Sequence, residues 1–197
     1  MILPGDKIEN QYQNPIDIFL LKLCRLIDTP LHNFGVTPNT ITIFGLFLGL
    51  LSIHFLIKKN YILSIIFLWL TYFTDCLDGY MARKYNQETR LGDYLDHFRD
   101  QFIVISIIML LALQIEDFHF RAFFIIVIII TGVLMLSQLG CQEKITHYTD
   151  NNECLEKLKL LCPGNAEENI KITRWFGCGT FFVVLSGFLI MLRLSKI

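Results

Sequence analysis

Two apolar runs that are too short to cross a membrane constrain this chain more than any other feature. Residues 61–74 and 102–115 are each 14 residues long and carry no formal charge, whereas a helix needs roughly 20 residues to traverse the hydrocarbon of a bilayer. The first run ends against Asp75 and Asp78, and the second begins just after Asp96 and Asp100. To span, each must draw its aspartates into the helix, which places both pairs near one membrane face. Successive antiparallel spans bring the end of one beside the start of the next, so the four carboxylates are expected to be neighbours.

A bilayer is the right solvent for the rest of the chain as well. Hydrophobic residues make up 53% of it and the mean hydropathy is +0.50, well above the soluble average. Further apolar runs cover residues 41–57, 118–141 and 175–192. The expected fold is therefore an all-α, polytopic transmembrane bundle of five to six spans over residues 35–197. Residues 1–34 precede it as a polar tail and an amphipathic helix lying on the membrane surface. That helix is expected to start at Asn14, Pro15 and Asp17, and to repeat Ile16, Phe19, Leu20, Leu23, Leu26 and Ile27 on its apolar side. Residues 142–173 are polar, with a short amphipathic piece over 153–161 broken by Pro163 and Gly164.

Twelve of the Lys and Arg residues fall on the aspartate side of this topology (Lys7, Lys22, Arg25, Arg83, Lys84, Arg90, Arg99, Lys144, Lys157, Lys159, Lys171 and Arg174). Five fall on the other: Lys58, Lys59, Arg121, Arg193 and Lys196. The excess predicts that the aspartate side is cytosolic. A net charge of −1 gives no basic surface for nucleic acid. The N-terminus has acids and prolines where a cleavable leader would need a basic start and an apolar core. Cys24, Cys76, Cys141, Cys154, Cys162 and Cys178 include no C-x-x-C pair, so small apolar fillers are expected rather than a zinc ribbon or disulfide framework.

On helices, Asp75, Asp78 and Ala82 share one face, and Gly92, Asp96 and Asp100 share another. Two helices can thus aim four carboxylates at one point. Unpaired anions at membrane depth would cost several kcal/mol each, and Arg83, Lys84 and Arg90 could not neutralise them without blocking the site. Hard divalent ions with oxygen ligands fit, namely Mg²⁺ or Mn²⁺, with room for two. Gly79 and Gly92 beside the acids permit close approach of a ligand to the backbone, or equally close packing of two helices. An ion path through a channel or transporter is a rival use of intramembrane acids, but it predicts acids at several depths rather than at one face. A lone Arg83 would read as an interfacial anchor. His32, His54, His119 and His147 are dispersed without metal-ligand spacing, and Arg99 is either an interfacial anchor or a contact for an acceptor phosphate or lipid headgroup.

The pattern Asp75-x2-Asp78-Gly79-x2-Ala82-Arg83-x8-Gly92-x3-Asp96-x3-Asp100 resembles, at every fixed position and gap, the defining motif of the CDP-alcohol phosphotransferase family. The resemblance covers 26 residues strongly and extends more weakly to Thr37-Pro38-Asn39-x-x-Thr42. It implies transfer of a substituted phosphate from a CDP-linked donor to an alcohol acceptor with release of CMP, in a membrane enzyme that is commonly a dimer. It further implies that Asp75, Asp78, Asp96 and Asp100 hold metal and that Asp100 takes the proton of the attacking hydroxyl. Gly79, Arg83 and Thr89 match positions that contact the CDP part, with Asn39 and Thr42 as additions. Every motif position is kept, which argues against an inactive relative serving as a scaffold. Residues 86–96 are similar to enzymes that use CDP-diacylglycerol to make phosphatidylglycerophosphate or phosphatidylinositol species, whereas Asp96-His97 resembles the branch acting on CDP-choline or CDP-ethanolamine. The first is favoured because its match is longer. The five spans counted here differ from the family's usual six.

Overall fold

The computed structural model describes residues 3–146, 158–162 and 164–195. His147, Cys154, Lys157, Lys196 and most of the amphipathic piece expected over 153–161 lie outside them. Among the described residues all regular structure is helical. The helices are α1 Pro15–Asn33, α2 Pro38–Ile57, α3 Tyr61–Lys84, α4 Arg90–Gln114, α5 Phe118–Ile145, α6 Ala166–Thr173 and α7 Cys178–Ser195.

Their starts follow from side chains that accept hydrogen bonds from the free N–H groups of the first turn. Asn14 caps Ile16, Thr37 caps Thr40, Asn60 caps Leu63, Thr89 caps Gly92 and Asp117 caps Phe120. The two short apolar runs are completed as expected. Helix α3 continues unbroken through Asp75 and Asp78, and α4 begins before Asp96, so that they reach 24 and 25 residues.

Helices α2, α3, α5 and the segment from α6 through α7 are long and apolar enough to cross a membrane. Helix α4 matches them in length but carries Arg90, Asp93, Asp96, Arg99 and Asp100 in its first half. Outward faces are apolar: Phe44 and Phe47 on α2, and Ile126, Ile129, Ile130 and Val133 on α5, are all exposed. Rows of this kind belong against lipid rather than water. The chain is a membrane protein with a polytopic helical fold.

The main core lies where α2, α3, α4, α5 and α7 meet, around Leu56, Leu68, Ile107, Leu111, Phe124 and Leu185. Helices α2 and α4 approach so closely that a methyl group at Gly49 would overlap the Ile103 side chain. Helix α1 rests on α3, burying Leu20, Leu21 and Cys24, while Phe19 and Leu26 on another flank stay exposed. Both flanks suit a helix half sunk in the interface.

Three expectations change. Residues 3–13 are no free tail: Asp6 is buried and pairs with Arg25 at 2.6 Å, and Lys7 pairs with Glu143 of α5. Gly5 lies so close to the Tyr80 ring that a Cβ there would sit 2.6 Å from it. Polar groups that each find a separate partner offset the entropy of ordering the segment. Second, Cys141 and Cys162 form a disulfide rather than serving as fillers. Their separation of 21 residues resembles no motif, and the pairing exists because the chain doubles back after α5. Third, residues 174–176 form a 3-10 turn, so the last long helix starts at Cys178 rather than at 175, and α6 precedes it.

Candidate active site

The C-terminal half of α3 and the N-terminal half of α4 hold the four aspartates. Asp75 and Asp78 lie one turn apart on α3, and Asp96 and Asp100 one turn apart on α4. The sequence places each pair on one helical face, and the packing turns those faces together. Oxygens of Asp75, Asp78 and Asp96 all lie within 4.8 Å of one another.

At the centre is a side chain that the motif does not specify. Arg99 is only 1% exposed, and its guanidinium bonds to all four carboxylates. Nη1 donates to Asp78 at 2.8 Å, Nε to Asp100 at 2.9 Å, and Nη2 to Asp96 at 2.6 Å, to Asp100 at 2.8 Å and to Asp75. From the sequence Arg99 is expected either as an interfacial anchor or as a contact for an acceptor phosphate or lipid headgroup, not as a partner of the aspartates. The signal that could have found it is its position three residues after Asp96, on the edge of the aspartate face.

The four acids differ in access. The Asp78 side chain is 5% exposed and receives a second hydrogen bond, at 2.7 Å, from the Thr42 hydroxyl of α2. The Asp100 side chain is 44% exposed. Asp75, Asp96 and Asp100 open onto a cavity of about 550 Å³ whose wall also includes Gly79, Arg83 and His97. Its lining also includes apolar residues of α5 and α7, such as Met135, Phe181 and Phe182. Arg83 donates from Nε to the Gly5 carbonyl at 2.9 Å, which leaves its terminal nitrogens near Gly79.

Of the other expected nucleotide contacts, Thr42 meets the cage through Asp78, whereas Asn39 and Thr89 lie beside the start of α4. Asn39 and Thr89 flank Gly92, where a Cβ would fall 2.6 Å from the Asn39 Oδ1 and 2.9 Å from the Thr89 Oγ1. Neither residue lines the cavity, nor does Thr42. His97 bonds to the Asp93 carbonyl at 2.9 Å through Nδ1.

Four carboxylates around one guanidinium leave a formal excess of three negative charges when all are ionised. An all-oxygen donor set with this residual charge suits a hard divalent cation such as Mg²⁺ or Mn²⁺.

A polytopic helical membrane protein with a carboxylate cage at one end of its bundle is the class that fold and site define. The CDP-alcohol phosphatidyltransferase family model matches residues 35–162, and the chain belongs to that family. It is 44% identical over 77 residues to an uncharacterized protein of Aquifex aeolicus, an alignment covering 37% of this chain and 39% of that protein. It is 31% identical to a CDP-diacylglycerol–glycerol-3-phosphate 3-phosphatidyltransferase of the same organism, covering 51% of this chain and 60% of that one. Against an archaetidylinositol phosphate synthase of Pyrococcus horikoshii the identity is 36%, covering 44% and 46%. The alignments thus span about two fifths to three fifths of these relatives' lengths. No solved structure matches the chain.

Proposed function

We propose that the chain transfers a phosphatidyl group from CDP-diacylglycerol to an alcohol acceptor with release of CMP, at the cytosolic face of a membrane that it crosses five times, with α4 as a span alongside α2, α3, α5 and α7. The observation that carries this reading is the convergence of Asp75, Asp78, Asp96 and Asp100 beside a cavity lined by both polar and apolar groups. Such a cavity suits a donor that is part pyrophosphate and part lipid. Two relatives named for CDP-diacylglycerol, the Aquifex glycerol-3-phosphate enzyme and a Candida albicans inositol enzyme, favour that donor.

The four aspartates would hold Mg²⁺ or Mn²⁺, two ions by family analogy. Bound metal would supply charge stabilisation for the donor pyrophosphate during displacement. The protein's own groups do the rest. Asp100, the most exposed of the four, accepts the proton of the acceptor hydroxyl. The acceptor oxygen forms a bond to the lipid-bearing phosphorus, the bond from that phosphorus to the oxygen shared with CMP breaks, and CMP leaves with the electron pair. Arg83 offers its terminal nitrogens to a donor phosphate, and Gly79 leaves room for the nucleotide. By family analogy Asn39, Thr42 and Thr89 contact the nucleotide, Asn39 and Thr89 from beside Gly92. Thr42 in addition aims Asp78.

The test is release of CMP by the purified chain with Mg²⁺ or Mn²⁺ and a panel of acceptors, offering CDP-diacylglycerol in one arm and CDP-choline or CDP-ethanolamine with diacylglycerol in the other. Turnover in the first arm supports the donor assignment. Turnover confined to the second overturns it in favour of the phosphoamine branch.

A further inference from the structure

We infer that Arg99 is a resident cation, one that holds the carboxylate cage together in the absence of metal and swings out of its centre when a divalent ion binds. The inference rests on reading the four aspartates as metal ligands, and adds a displacement step that the motif itself does not contain.

Three observations carry it. Arg99 is buried as deeply as the apolar core around it, at 1% exposure. All three of its guanidinium nitrogens are spent on the aspartates. Asp75, Asp78 and Asp96, whose oxygens come within 4.8 Å of one another, are each bonded to it already. A metal ion and the guanidinium would therefore compete for one set of lone pairs, and two cations at one point repel.

The arrangement has a physical purpose. Without a cation at its centre, the cage would set four carboxylates against one another, and such like charges repel. One planar guanidinium with five N–H donors can meet all four at once, which a lysine cannot. The side chain also has somewhere to go, because Asp96, His97 and Asp100, its neighbours on α4, line a cavity of about 550 Å³. A long flexible side chain can turn from the cage into that space without moving a helix.

Competition of this kind weakens the apparent affinity for metal by the fraction of molecules in which the cage is open. If the displaced state is populated at about 1 to 10%, the weakening is about 10- to 100-fold. Mn²⁺ binding to the full-length chain in detergent micelles, read as free Mn²⁺ by electron paramagnetic resonance, tests it. Arg99→Met should bind Mn²⁺ about 10- to 100-fold more tightly than the unsubstituted chain. Arg99→Lys, which keeps the charge but loses the fork, should fall between. Metal-free Arg99→Met should melt at a lower temperature, and added Mn²⁺ should close the gap. Equal or weaker binding by a folded Arg99→Met variant overturns the inference while leaving the metal site standing. Absence of Mn²⁺ binding in every form, with Asp78→Asn no different from the parent, overturns the ligand reading and this inference together.

A measurement on the unsubstituted chain covers the case in which the variants do not fold. The Arg99 Nε–H signal in the nitrogen-15 spectrum of arginine-labelled protein, assigned by its loss in Arg99→Lys or by paramagnetic broadening with Mn²⁺, should move and lose solvent protection on saturation with Mg²⁺. A signal that stays in place while Mg²⁺ binds means that the guanidinium and the ion coexist, and the displacement is wrong.

Discussion

Asp78 is held by two donors from different helices, the Thr42 hydroxyl and the Arg99 guanidinium, each at 2.8 Å or less. Groups that orient a ligand from behind typically contribute 10- to 100-fold to metal affinity. Thr42→Val, similar in shape but without the hydroxyl, should therefore weaken Mn²⁺ binding about tenfold, measured by titration in micelles; an unchanged affinity would remove Thr42 from the site. The aspartates were legible in the sequence because two short apolar runs forced them into helices and their spacing put each pair on one face. Arg99 was not, since it occupies a position between two motif residues where any side chain is permitted. Its partner set depends on the rotation of α4 against α3, which no local spacing encodes.

At the scale of elements, the α2 and α4 contact is the one with least slack. A methyl group at Gly49 meets Ile103, and overpacking of this sort costs about 1 to 3 kcal/mol. Gly49→Ala should lower the melting temperature in micelles, and pairing it with Ile103→Val should restore part of the loss. Helix α1 contributes a pH dependence. Burial pushes the Asp17 carboxyl up to about 6 from 3.8, the hydrogen bond from Tyr72 opposing the rise and the charge of Asp75 adding to it. A carboxyl raised on folding stabilises fully below its unfolded value and loses that contribution as pH climbs through the folded one. The metal-free melting temperature should therefore fall as pH rises from about 4 through about 6, and Asp17→Asn should flatten the slope. The caps at Asn14 and Thr37 were readable because a cap is local. The packing of residues 3–13 was not, because Asp6 and Lys7 find their partners in Arg25 and Glu143, the latter 136 positions away.

For the whole molecule, two observations bear oppositely on orientation. The Lys and Arg excess at the aspartate end points to the cytosol, yet the Cys141–Cys162 disulfide lies at the end of α5 on that same side, and disulfides are scarce in a reducing compartment. Labelling of intact cells with a membrane-impermeant maleimide decides it. Lys59→Cys, in the turn between α2 and α3, should react, and Asn86→Cys, in the turn between α3 and α4, should not; the reverse pattern would turn the protein over. The fold class was legible because hydropathy alone demands a bundle. The shape of the cavity was not, since it is made by α5 and α7 closing over α3 and α4. Its catalytic claim is tested most directly by CMP release from CDP-diacylglycerol with Mg²⁺ or Mn²⁺ and an acceptor panel, comparing the chain with Asp100→Asn. Turnover should be abolished by chelation with EDTA and lowered about 10²- to 10⁴-fold by Asp100→Asn with the fold intact. Equal turnover by the two, or turnover indifferent to chelation, would contradict it.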